Sequence, residues 1–176
     1  MVNDVKTHDL VTVALFTAIV AVCSQVIIPI GPVPMSLATL AVLLSGVVLG
    51  PVKGALALMV YLLLGAMGAP VFSAFRGGLP MLAGPTGGFL VGYIPMAFLA
   101  GLFYRADSSR RSVLGMLFAT IILYAAGTMW FVVSTGQGIV PALMMCVAPF
   151  IPTDMVKIFV AMAISRRLGV RRVVFR

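Results

Sequence analysis

Asp154 and Lys157 stand three residues apart inside an otherwise apolar stretch, 139–164. That stretch is long enough to cross a bilayer. A charge at the bilayer centre costs about 2.5–3.5 kcal/mol on insertion scales, so a chain keeps one there only for a purpose. Positions i and i+3 of a helix share a face. The carboxylate acceptor and the ammonium donor therefore address the same space, which suits a small polar metabolite. The same spacing also suits a self-neutralising ion pair that locks one helix to its neighbours. The residues alone leave both uses open.

A second group of chemically useful residues lies between apolar segments. Residues 69–85 are rich in Gly and Pro and hold Arg76 between Phe72, Phe75 and Gly77-Gly78. They run directly into Gly84-Pro85-Thr86-Gly87-Gly88-Phe89. A glycine-rich entry to a helix lets backbone N–H groups approach an anion or a polar ligand closely. Each residue also has a plainer use. Thr86 is placed to cap the following helix, the Gly pair to pack two helices closely, and Arg76 to meet lipid headgroups. Near the start of the chain, Ala14 and Ala18 are four residues apart with Ala21 beyond. Small residues at this spacing make a flat stripe, which serves packing inside the bundle or docking of a partner subunit.

The elements that carry these residues are membrane helices. Of the 176 residues 62% are hydrophobic and 9% charged, against about 25% charged in soluble domains. The chain reads as a polytopic, all-α membrane protein too short for a second sizeable domain. About six apolar runs are visible: 10–28, 36–49, 54–68, 86–104, 113–133 and 139–164. Pro29, Gly31, Pro32 and Pro34 break the chain after the first. The second and third are short, so they are expected to incline or to begin inside the loops. Pro141, Pro149 and Pro152 predict that the last is kinked or broken, with its regular part starting near Thr153. Broken backbone at membrane depth survives where it is buried in protein or lines a cavity.

Charge gives an orientation and excludes several functions. With six spans, ten of the twelve Lys and Arg residues fall on the side that holds both termini. The positive-inside rule puts that side in the cytoplasm. Arg76 alone lies opposite. The net charge of +8 does not indicate nucleic acid, because the basic residues cluster at segment ends. The basic tail from Arg166 serves as a topology anchor and a contact for anionic lipids. The N-terminal ten residues lack the features of a cleaved signal peptide. Cys23 and Cys146 lie in apolar runs and show no metal-ligand spacing. There is no P-loop motif and no HExxH, and His8 is the only histidine. Neither an enzyme nor an autonomous ATPase is expected, and no cofactor is called for.

Three blocks resemble the BioY family, the biotin-binding S components of energy-coupling factor (ECF) vitamin transporters. They are residues 32–72, residues 77–93 with their GPTGG motif, and residues 148–164 with Pro-x-Asp-x-x-Lys. Gly127-Thr128-Met129-Trp130 also fits the family's pattern. The resemblance implies one S-component domain over 1–176, a six-helix bundle with both termini cytoplasmic, in a bacterial or archaeal cell membrane. It assigns biotin contacts to Asp154 and Lys157, and to the block Thr86, Gly87, Gly88 and Phe89, with Tyr93 one turn on. Arg76 or the glycine-rich turn would meet the valerate carboxylate, or Lys157 would if the ligand lies the other way. Ala14 and Ala18 match the family's docking stripe, whose partner is a transmembrane coupling subunit carrying two ATPases. The chain departs from many members at Ala38, where they have Gln, and at Thr153, where they have Gly.

Overall fold

Hydrocarbon inverts the usual rule of burial. Apolar side chains can face out, while hydroxyls must turn in and find partners. The computed structural model, which describes residues 7–28 and 35–170, shows that pattern in the middle of its two longest helices. Helix α1 (Thr7–Gln25) exposes Leu10, Val11, Leu15 and Val22 and buries Thr17 and Ser24. Helix α6 (Ser109–Thr135) exposes Leu114, Phe118, Ile121 and Val133 and buries Ser112, Thr120 and Thr128. The helix's own carbonyls answer most of these hydroxyls. Ser24 donates to the Val20 carbonyl at 2.8 Å and Thr120 to that of Met116 at 2.9 Å. Thr17 also donates across to Ala57 at 3.0 Å, tying two helices together.

The described residues form eight α-helices. After α1, a two-residue strand β1 (Ile27–Ile28) pairs antiparallel with β2 (Met35–Ser36). The expected Pro/Gly break between them, with Pro29, Gly31, Pro32 and Pro34, lies outside the described residues, as do Lys6, Arg171, Arg172 and Arg176. Helices α2 (Ala38–Leu49) and α3 (Pro51–Ala66) meet at Gly50, whose φ of 83° is the left-handed turn glycine permits. The Gly/Pro-rich stretch expected to be irregular contains a 3-10 turn at Ser73–Phe75 and a short helix, α4 (Leu79–Ala83). Next come α5 (Gly87–Phe103) and α6. The last apolar run is broken, as its prolines predict. It divides into α7 (Ile139–Cys146) and α8 (Ile151–Arg167), bent by 48°.

Helix α5 is the centre of the bundle, packed against α2, α3 and α6. Glycines set the closeness of that packing. A Cβ on Gly46 of α2 would sit 2.0 Å from the Ala97 carbonyl of α5, and one on Gly127 of α6 would sit 2.3 Å from the Phe89 ring. Among the described residues, only α1, α6 and the α7–α8 pair have the length and apolarity to cross a membrane. The other apolar helices are shorter: α2, with 12 residues, rises about 18 Å against a hydrocarbon core of about 30 Å.

Candidate ligand-binding site

The break between α7 and α8 places the buried charges. Asp154 falls in the first turn of α8, where the helix dipole favours an anion. Its N–H still bonds the Phe150 carbonyl at 2.8 Å, so the backbone around it is satisfied. Lys157 follows one turn later. Asp154 is 4% exposed and Lys157 9%.

The two form a closed network with three other residues. Lys157 Nζ donates to Asp154 Oδ1 at 2.7 Å, to Thr39 Oγ1 at 2.8 Å and to the Ser36 carbonyl at 2.9 Å. All three ammonium hydrogens are thereby used. Thr39 donates in turn to Asp154 Oδ1 at 3.1 Å, and Tyr124 donates to Oδ2 at 2.6 Å. The carboxylate thus holds together α2, α6 and α8. A buried pair this well partnered avoids the penalty of an uncompensated charge.

Two spaces adjoin this network. A void of about 30 Å³ touches Asp154, Lys157, Ser36, Thr39 and Tyr124, room for about one water molecule. Phe89 and Tyr93 form its wall and also line a larger cavity of about 560 Å³. That volume is in the range of small-molecule sites, about 300–1,000 Å³. The cavity is bounded by Phe72, Arg76, Thr86, Phe131 and Gln137 among others. An apolar aromatic wall therefore separates a mouth bearing Arg76 from a polar floor bearing Asp154 and Lys157.

Arg76 is presented by a strained loop. Ala74 and Phe75 adopt φ of 60° and 54°, left-handed values that cost about 1–3 kcal/mol for a residue other than glycine. Gln25 at the end of α1 holds the loop in place. Its Nε2 donates to the Val71 and Phe72 carbonyls, both at 3.2 Å, and its Oε1 accepts from the Phe75 N–H at 2.8 Å. Arg76 itself is exposed and, among the described residues, makes no ion pair.

The glycine-rich block divides by role. Thr86 stands at the N-cap of α5 and lines the cavity, but its side chain makes no capping bond. The Gly87 N–H is already given to the Gly84 carbonyl at 3.0 Å. A Cβ on Gly87 would meet the Leu82 carbonyl at 1.8 Å, and one on Gly88 would meet Trp130 at 2.2 Å. Both glycines are buried and bring α5 against its neighbours. Trp130 Nε1 adds a bond to the Gly84 carbonyl at 2.9 Å. Thr153 lies within α8 and donates back to the Phe150 carbonyl at 2.9 Å. Ala14 and Ala18 are exposed on the outer face of α1, away from the cavity.

Thr39, Tyr124, Ser36 and Gln25 join the site without having been singled out in the sequence. Thr39 sits one residue beyond Ala38, the position whose missing Gln removes a polar contact from α2. It supplies such a contact itself. Ser36 acts through its carbonyl, which no residue type reveals.

The fold and site define an all-helical membrane protein with a ligand-sized cavity and a buried charge pair beneath it. The chain belongs to the BioY family, whose model matches residues 1–174. It is 42% identical to the biotin transporter BioY of Thermotoga maritima, over 92% of this chain and 95% of that one. Against the probable biotin transporter BioY of Pyrococcus horikoshii it is 38% identical, over 93% and 97%. Its structure also matches the crystal structure of the S component for biotin from an ECF-type ABC transporter. The TM-score is 0.86 at 28% identity, over 96% of this chain and 94% of that one. These relatives are named as transporters and an S component, not as enzymes.

Proposed function

We infer that the protein captures biotin and delivers it for uptake as the substrate-binding membrane subunit of an ATP-driven ECF transporter. The observation that carries this reading is the Asp154–Lys157 pair beneath a ligand-sized cavity, in a chain whose relatives carry biotin.

The chemistry fits the ligand. A ureido ring offers two N–H donors and one carbonyl acceptor. Asp154 accepts from the N–H groups, and Lys157 donates to the carbonyl by giving up one of its three present hydrogen bonds. The aromatic pair Phe89 and Tyr93 encloses the thiophane ring, and Arg76 at the mouth meets the valerate carboxylate. Thr86 lines the same cavity. Gly87 and Gly88 contribute by setting the position of α5. The void at the charge pair holds only about one water, so Phe89 and Tyr93 must turn aside as the ureido ring descends. Low polarity around the site strengthens each polar contact.

The family's partner is a transmembrane coupling subunit with its ATPases, and the exposed Ala14–Ala18 stripe is the face we assign to it. We further propose six membrane passes, with α7 and α8 sharing one, and both termini in the cytoplasm of a bacterial or archaeal cell. A second reading has one observation in its favour. The network already satisfies Asp154 and Lys157, as a purely structural pair would require. Mass spectrometry of small molecules released from the purified protein, followed by calorimetric titration with biotin, separates the two. Released biotin that rebinds at one per chain is the expected result. Release of a different vitamin, or no binding at all, would overturn the reading.

A further inference from the structure

The turn that carries Arg76 is tied down at its base. The Gly78 N–H donates to the Gly65 carbonyl of α3 at 2.6 Å. Phe72, 1% exposed, meets Tyr61 of α3 edge-on with ring centroids 5.5 Å apart. Phe72 and Arg76 then bridge each other, N–H to carbonyl, at 2.9 and 3.3 Å. The bridge closes the 3-10 turn Ser73–Phe75, which contains the two left-handed residues, Ala74 and Phe75. In that conformation Ala74 and Arg76 line the cavity, while Phe75 stands outside it, 72% exposed.

Strain of this kind persists only where the surroundings over-determine it. Gln25 supplies that constraint from α1. Its Oε1 accepts the N–H of the strained Phe75, and its Nε2 donates to the Val71 and Phe72 carbonyls and to that of Ala21 in its own helix. The turn thus presents two acceptors and a donor to one side chain. A carboxamide answers both kinds. A carboxylate cannot donate, an ammonium cannot accept, and Asn is a methylene shorter. Gln25 itself does not line the cavity, so its bonds act on the turn and not on a ligand.

We propose that Gln25 is a positioning residue for ligand recognition. By clamping the 71–76 turn it fixes the Arg76 guanidinium at the cavity mouth, and so confers a preference for a ligand with an anionic tail. This rests on the reading of biotin bound with its carboxylate at the mouth. Arg76 is exposed and makes no ion pair among the described residues, so among them its backbone alone sets where the charge lies. A backbone fixed before the ligand arrives lowers the ordering cost of binding.

Calorimetric titration of the detergent-solubilised protein with biotin and with biotinamide, whose tail is uncharged, tests this. Arg76→Ala should weaken biotin about tenfold, the worth of one hydrogen bond to a charged group. Gln25→Ala should weaken it about fivefold. The double variant should be no weaker than Arg76→Ala, because the clamp then has nothing to position. Biotinamide affinity should be unchanged by Gln25→Ala. Hydrogen exchange of the 71–76 segment, measured without ligand, should quicken in the same variant. Equal loss for biotin and biotinamide would make Gln25 a residue of the fold alone and overturn the proposal. Additive losses, an unaltered biotin affinity or unchanged exchange would overturn it too. Should Gln25→Ala fail to fold, Gln25→Met, which keeps the length and loses the bonds, is judged by the same outcomes. If the unaltered protein binds no biotin, the functional reading fails separately. Exchange then decides on the clamp: faster exchange supports it, and unchanged exchange overturns it.

Discussion

At the scale of single residues, the charge network sets both affinity and stability. Asp154→Asn keeps the shape but removes the acceptor charge facing the ureido N–H groups. It also leaves the buried Lys157 ammonium without a counter-charge. Biotin affinity should fall at least about tenfold, which is ~1.4 kcal/mol. Calorimetry showing unaltered affinity in a folded variant would make Asp154 a structural residue only. Thr39 supports the pair from α2, accepting from Lys157 and donating to Asp154. Thr39→Val leaves both with an unmet bond, so stability should drop by about 1–3 kcal/mol, and Thr39→Ser should restore it. Thermal melting of the three proteins is the check, and equal melting of all three would remove Thr39 from the network. Asp154 and Lys157 were legible in the sequence because a charge in an apolar run is costly and therefore rare. Thr39 and Tyr124 were not. Their partners lie 115 and 30 residues away, and a lone hydroxyl in a membrane helix looks the same whether it meets a carboxylate or its own backbone, as Ser24 and Thr120 do.

At the scale of elements, proline and glycine made the most important event readable. Pro149 and Pro152 predicted the break that puts Asp154 at a helix start. The breaks at Gly50-Pro51 and at the glycine-rich entry to α5 were readable for the same reason. Helix α4 and the β1–β2 pair were not, because two to five residues carry too little periodicity to register. Nor could spacing alone assign the faces of α1, since lipid and protein interior are equally apolar. The structure turns Thr17, Val20 and Ser24 inward and leaves Ala14 and Ala18 outside. A stripe free of internal packing is available to another helix. Ala14→Trp should therefore leave biotin binding nearly intact, while reducing copurification of the coupling subunit and ATP-dependent uptake, because an indole holds the facing helix away. Pull-down and biotin titration on the same variant decide it. Intact association with lost biotin binding would mean that the stripe serves the bundle's own fold.

At the scale of the whole molecule, contacts between distant segments show which charges share an end. Lys53 of α3 pairs with Asp9 of α1 at 2.7 Å. Arg166 of α8 contacts Ser109 at the start of α6. Tyr104, after α5, donates to the Val170 carbonyl at 3.3 Å. These contacts gather Lys53, Arg105, Arg110, Arg111, Arg166 and Arg167 at one end of the bundle. Arg76 and Gln137 stand at the other, around the ligand cavity. For the described basic residues the segregation read from the sequence is thus present in three dimensions, and the positive-inside rule turns it into a direction. The ligand cavity should open outward and the basic end should face the cytoplasm, where the ATPases are. With Cys23 and Cys146 replaced by Ala, a cysteine at Gln137 should react with a membrane-impermeant thiol reagent in whole cells. A cysteine at Asp107, exposed in the α5–α6 turn, should react only after lysis. Excess biotin should slow labelling at Gln137, which lines the cavity, and leave labelling at Asp107 unchanged. The reverse order of labelling would invert the molecule in the membrane, placing the cavity mouth on the side where an uptake system must release its substrate rather than find it.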